Sequence, residues 1–261
     1  MKYMERPGSA QSPHNSVDTP TSVSPATVID VAISEFARCG FADARLDAIA
    51  RDSGMSKRMI HYHFGDKRGL YVQSVLRAIQ LMHPPEEELQ LDSGVPVEGV
   101  RKLLDVLYRQ FTGNPDAIKL LVLENVINET TPEEFVSLRD GSTMTFHLDR
   151  LLLLGQDSGA FRPGISSFDV YTLMTSIIFN REIGHSLTRK LFGVDLHDEQ
   201  NTEGLHHLLV DTVLAFLTSN IPSSGQPSYL TRQAASEDSA EPADALYSEG
   251  SSLRGGLFLD E

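Results

Sequence analysis

LDAIARDSGMSKRMIHYHF, residues 46–64, carries two short helical patterns on either side of a glycine turn. In the first, about Leu46–Asp52, the residues Leu46, Ile49 and Ala50 recur on one face, and Gly54 ends the pattern. The second opens on Ser56, a good N-cap, and runs to about His63 before Gly65 breaks it. Two short helices joined by a three- or four-residue turn containing glycine form the helix-turn-helix plan. Ile49, Ala50, Ile60 and Phe64 seat the second helix on the first, with Ala50 small enough to permit close approach.

That seating turns Lys57, Arg58, His61, Tyr62 and His63 outward. Tyrosine and histidine are poor choices for a face meant only for solvent and good ones for phosphate oxygens and base edges. The helix N-terminus at Ser56 adds a partial positive charge aimed at phosphates. The alternative for such a stretch is a plain surface helix of an all-α ligand-binding or protein-interaction module that does not touch DNA. The basic outward face of residues 57–67 argues against it.

Outward from this stretch the chain reads as helix after helix. Ser24 and Pro25 start one that carries Val28, Ala32, Ile33, Phe36 and Ala37, and Gly40 closes it. Asp66 caps a fourth, with Leu70, Val72, Val75, Leu76 and Ile79, until Pro84 and Pro85 stop it. Further helices are expected near 96–112, 115–129, 132–140, 143–157, 167–191 and 202–219. The fold class is all-α: a small N-terminal three-helix helix-turn-helix domain joined to a larger C-terminal helical bundle. The expected divisions are a disordered tail over 1–24, the helix-turn-helix domain over 25–83, the bundle over 84–221 and a largely disordered acidic tail over 222–261.

Charge supports this division. The 261 residues carry a formal net charge of −14, which excludes a generally basic nucleic-acid coat protein. Residues 26–83, however, hold eight basic against six acidic groups, while 84–221 hold ten against 21. A small positive patch on a negative body can still face a polyanion, because screening over about 10 Å makes near charges dominate. The single cysteine, Cys39, excludes an internal disulfide and reads as a buried structural thiol. No signal-peptide stretch and no apolar run of membrane-spanning length occurs, so a cytoplasmic location is expected. There is no HExxH or GxSxG, and neither His206–His207 nor the pair His147 and His185 makes a metal set. Neither an enzyme nor a metal or organic cofactor is expected.

Residues 28–76 resemble the DNA-binding domain of the TetR family of transcriptional regulators. The resemblance rests on Ala32, Phe36, Gly40–Phe41, Ile49–Ala50, Gly54 and the run SKRMIHYHFGDKRGLY, with Phe64, Lys67 and Leu70 at the family's spacing. It implies phosphate contacts from Lys57 and Lys67, and base-reading or backbone-anchoring roles for Arg58, His61, Tyr62 and His63. Arg45 stands where the family often has threonine, so a guanidinium replaces a hydroxyl there. The usual Tyr-His-Tyr-Phe is His61-Tyr62-His63-Phe64 in this chain. The resemblance further implies a dimer on a double-stranded, near-palindromic operator, released by a small organic effector.

Read independently, the C-terminal helices interrupt apolar runs with polar groups, notably Glu124, Asn125, His147, Arg150, Asn180, Arg181 and Glu182. Such groups need partners, solvent or a ligand. An effector pocket is expected among Leu107, Phe111, Leu121, Asn125, Phe146, Arg150, Met174 and Ile178, which span four helices. It suits a modest apolar or aromatic compound with one or two hydroxyl or carbonyl groups. The alternative is that Glu124, Arg150, Arg181 and Glu182 pair with other helices or face water. Helices 167–191 and 202–219 are apolar on more than one side and form the expected homodimer surface.

Overall fold

A computed structural model describes residues 23–89, 94–135, 143–222, 225 and 228–230. All regular structure among them is helical. In chain order the helices are α1 (Pro25–Asp43), α2 (Leu46–Ser53), α3 (Lys57–Phe64), α4 (Lys67–Leu81), α5 (Glu86–Leu89), α6 (Pro96–Thr112), α7 (Pro115–Ile127), α8 (Thr143–Asp157), α9 (Ser167–Ile183), α10 (His185–Phe192) and α11 (Glu199–Thr218), with a 3-10 turn at Pro132–Phe135. The described residues up to Tyr229 form one compact unit.

The N-terminal helices start where the sequence places caps. Ser24 Oγ accepts the Thr27 N–H, Ser56 Oγ accepts the Met59 N–H and Asp66 accepts the Gly69 N–H. Gly40, at φ 75°, breaks α1 as expected, and a last turn follows over residues 41–43. Val28, Ala32 and Phe36 on α1 are completely buried. Their face packs on α4 and α7 together. The Phe36 ring meets Tyr71 edge-on at 4.9 Å, and Phe41 approaches the same tyrosine at 4.9 Å. Through α1 and α4 the helix-turn-helix is therefore joined to the larger bundle by a packed core. In that bundle α6 lies against α8 and α11, and α9 touches α7, α8 and α11.

The structure departs from the expected elements at four places. The helix expected over 132–140 is a 3-10 turn at Pro132–Phe135, and residues 136–140 lie outside the described residues. A short helix at Glu86–Leu89 forms where only an acidic run was read, because Leu89 finds a buried seat, 2% exposed. The long helix 167–191 is two helices separated at Gly184, whose N–H bonds to the Asn180 carbonyl at 2.8 Å. A Cβ on Gly184 would lie 2.6 Å from that carbonyl oxygen, so the tight break requires glycine. The last helix starts at Glu199 because Asp198 caps it through the Asn201 N–H.

The expected tails fall largely outside the described residues, as does the apolar end GGLFLDE. Ser228 and Tyr229 are an exception to the expected loose C-terminus. Ser228 Oγ and the Tyr229 N–H both donate to the Asp169 carboxylate at the start of α9. A buried carboxylate needs donors, and this segment supplies two.

Candidate nucleic-acid interface and the bundle behind it

The turn between α2 and α3 is fixed by three local devices. Gly54 adopts φ 77°, Ser53 Oγ accepts the Met55 N–H, and Met55 is itself buried. Ile60 is 1% exposed and anchors α3, which sends Tyr62 to the opposite side, where it is 79% exposed. Ser56, Lys57, Arg58, His61 and His63 are also exposed, as is Arg45 just before α2. The structure thus gathers the expected outward face on one short helix. It adds Met59, 42% exposed between Arg58 and Tyr62. A lone apolar side chain on a polar face was the available signal, and such a group suits a thymine methyl.

The basic groups on this surface are not equally free. Lys57 Nζ lies 2.6 Å from Asp47 of α2. Lys67, half-buried, donates to the Ala42 carbonyl at 2.8 Å and places its ammonium 5.0 Å from the Phe41 ring centroid. It holds the last turn of α1 against the start of α4. Arg45 and Arg58 make no ion pair among the described residues. His61 Nδ1 lies 2.8 Å from the Gly65 carbonyl, and the His63 ring sits edge-on to Tyr62 at 5.2 Å.

Immediately behind this surface, the first two turns of α4 are tied to the end of α7. Arg68 donates to Glu134 at 2.9 and 3.2 Å and to the Glu129 carbonyl at 3.1 Å. That guanidinium, with help from the Thr131 N–H, holds the Glu134 carboxyl below its usual range. Tyr71 donates to buried Glu124 at 2.8 Å, and Glu124 also accepts from the N–H and hydroxyl of Thr130. Burial, and then the neighbouring Glu124, push the Tyr71 hydroxyl well above the usual phenol range. Asn128, at φ 55°, ends α7 so that the chain can turn back to supply Thr130.

The expected effector residues do not form a single cluster. Leu107, Phe111, Met174 and Ile178 are core residues, each at most 1% exposed. Leu107 and Met174 do come together, lining a narrow apolar cavity with Leu103 and Leu104 of α6, Leu148 of α8 and Val170 and Tyr171 of α9. Leu121 is half-buried, while Asn125, Phe146 and Arg150 are exposed. Asn125 Nδ2 is occupied by the Leu121 carbonyl of its own helix. Phe146 and Arg150, four residues apart, lie on the side of α8 opposite the buried Leu148, Leu151 and Leu152.

Much of the polar interruption is explained by pairing within the chain. Arg181 and Glu182 pair with one another, and Arg181 Nη2 donates to Thr202 of α11 at 3.1 Å. His185 stacks on His197, centroids 3.9 Å apart, rather than on His147. His206 Nε2 lies 2.8 Å from Asp105, and the ring stacks on Tyr108 at 4.7 Å. Among the described residues no group of three or more His, Cys, Asp or Glu side chains is arranged to hold a metal. Cys39 is half-buried rather than buried, its thiol 3.9 Å from Glu35. No described helix is long and apolar enough to cross a membrane.

Comparison with known proteins places both parts. Residues 28–73 match the family described as bacterial regulatory proteins, tetR family, and residues 96–213 match the tetracyclin repressor-like C-terminal domain. The chain is similar to the HTH-type transcriptional repressor NicS of Pseudomonas putida, 24% identical over 174 residues, which cover 66% of this chain and 82% of that protein. It is 31% identical over 103 residues to the HTH-type transcriptional repressor SCO4008 of Streptomyces coelicolor, covering 39% of this chain and 49% of that one. Among solved structures, a tetR-family regulatory protein from Rhodococcus superposes with a TM-score of 0.55 at 16% identity, over 74% of this chain and 95% of that chain.

Proposed function

The chain belongs to the TetR family of DNA-binding transcriptional regulators, and from that premise we propose that it is an effector-released repressor acting as a homodimer on a near-palindromic operator. The observation that carries the DNA half of this reading is the free outward face of α3, with Arg58, Met59 and Tyr62 at its centre. Arg58 is placed to read a base edge, Tyr62 to meet a base edge or phosphate, and Lys57, His61, His63 and Arg45 to grip the flanking backbone.

Exposed apolar groups support the dimer. Val170, Met174 and Ile178 complete the core of one copy, so they are not free for a partner. Ile183, Leu187 and Leu191, spaced by four residues across α9 and α10, are each more than half exposed, as are Phe192 and, on α11, Leu208. A second copy is the partner we assign to these groups, since a helical DNA reader of this type needs two recognition helices one turn of duplex apart. The apolar cavity between α6, α8 and α9 has room for about one water molecule as it stands, and we place an uncharged effector there that parts these helices as it enters. An effector that separates α9 from α6 also moves α7, on which α4 is tied. Coupling of about 1–3 kcal/mol between the two sites changes DNA affinity by about 5–150-fold.

The test is a salt-dependent gel shift with the DNA flanking the protein's own gene, run beside sedimentation of the free protein. The reading requires a two-copy complex whose affinity falls steeply with salt. A monomer, or a chain with no affinity for that DNA at low salt, overturns it.

A further inference from the structure

His61 closes α3 with both its backbone and its side chain. Its carbonyl accepts the Gly65 N–H at 2.9 Å, while Nδ1 lies 2.8 Å from the Gly65 carbonyl. A carbonyl oxygen only accepts, so Nδ1 must carry a hydrogen and the tautomer is fixed. Nε2 is then the end left over. The residue is exposed, and Nε2 has no partner among the described residues. At about 100° per residue, His61 lies about 40° around α3 from Lys57, on one flank of the face that Tyr62 and Arg58 centre. A flank is where a recognition helix meets the phosphate backbone.

This arrangement makes the ring's protonation decide what it offers. Neutral, Nε2 presents a lone pair, which repels a phosphate oxygen. Protonated, it presents a charged N–H donor, which binds one. Resting on the DNA-binding reading above, we propose that His61 is a proton-linked phosphate contact: on binding duplex DNA, Nε2 takes a proton from solvent and donates it in a hydrogen bond to a backbone phosphate. Nδ1 keeps its hydrogen and its bond to Gly65 in both forms, so the turn is undisturbed.

Several charged groups lie on the elements around His61. On α3 itself, Lys57 is paired with Asp47 of α2, His63 sits on the other flank, and Arg58 is exposed. At the start of α4, Asp66 caps the helix, Lys67 turns to the Ala42 carbonyl and Arg68 turns to Glu134. The negative field of the phosphates favours the charged ring in the complex. The sign follows: the complex holds the ring proton more tightly than the free protein does, so affinity is greatest at low pH and falls as pH rises through the histidine range.

The test uses the full chain and a random-sequence DNA duplex, because phosphate contacts do not depend on sequence. Affinity is measured by fluorescence anisotropy at pH 6 and pH 8 over a series of salt concentrations, with thermal unfolding of each variant as a check on folding. Wild type is expected to bind several-fold to about tenfold tighter at pH 6. Its plot of log affinity against log salt is expected to be steeper there by about 0.9, the signature of one added phosphate contact. His61→Gln loses both differences. His61→Lys, with a permanent charge, binds at pH 8 with the steeper salt dependence that wild type has at pH 6. A purely structural cap predicts none of this pattern. A wild type that binds no duplex at either pH would overturn the DNA-binding reading itself; the proposal alone is overturned if wild type binds equally at pH 6 and pH 8, if His61→Gln keeps the wild-type difference, or if His63→Gln is the variant that loses it.

Discussion

Arg58 and Lys67 carry the same charge only nine positions apart, yet the structure gives them different work. Arg58 stands in solvent with no ion pair among the described residues, whereas Lys67 is half-buried on Phe41 and bonded to the Ala42 carbonyl. Arg58→Ala is therefore expected to relax sequence preference while leaving unfolding unchanged. Lys67→Ala is expected to weaken binding to operator and random DNA alike and to lower stability by about 1 kcal/mol, the worth of a typical hydrogen bond with its packing. Thermal denaturation beside competition binding separates the two, and equal effects on both readouts for both variants would contradict the division. The outward set on α3 was legible in the sequence, because one buried residue, Ile60, fixes the orientation of an eight-residue helix. The fates of Lys57 and Lys67 were not. They depend on Asp47 and Ala42, which lie on other helices, and spacing along one helix says nothing about neighbours across a turn.

At the scale of the helix, starts were easier to read than interruptions. Pro25, Pro96 and Pro115 all stand at first-turn positions, where a missing N–H costs nothing. The break at Gly184 leaves no trace in the sequence pattern, because the residues on both sides keep good helical spacing. What stops the helix is a close approach to Asn180, which only coordinates reveal. Gly184→Ala is expected to destabilise the protein by roughly 1–3 kcal/mol, since the Asn180 carbonyl is backbone and cannot swing aside. Calorimetric unfolding checks this, and an unchanged midpoint would mean that α9 and α10 can rejoin without strain. The start of α9 behaves differently. Burial works against charge at Asp169, but donors from Ser166, Ser228 and Tyr229 outweigh it and hold the carboxyl below its usual range. A carboxyl so depressed adds stability at neutral pH, and that stability is lost as pH falls through the folded-state value. Asp169→Asn should therefore lower stability at pH 7 and flatten its decline in acid. The expected pocket fared worst of the elements: Phe146, Arg150 and Asn125 shared a helical pattern with core residues, but periodicity alone could not say which side of α8 or α7 was inward.

Across the whole molecule, the seam between α4 and the end of α7 is the route by which the proposed effector would reach the recognition helix. Polar links cross it at two depths: Arg68 with Glu134 and the Glu129 carbonyl near the surface, and Tyr71 with Glu124 in the interior. The depressed Glu134 carboxyl gives its link full strength above the ordinary carboxylate range and loses it as pH falls through the lowered value. The interior link is buried, and removing either partner breaks it. Tyr71→Phe keeps the ring against Phe36 and Phe41 but deletes the donor to a buried carboxylate, a loss of about 1.5–3 kcal/mol. Glu124 retains its two bonds from Thr130, so the bundle should stay folded while the seam loosens. Amide hydrogen exchange makes this visible: protection over residues 67–74 and 124–130 should fall in Tyr71→Phe, with α8 unchanged. A uniform fall across all helices would instead mean that Tyr71 supports global stability alone, and the seam would lose its claim to carry movement from the bundle to α3.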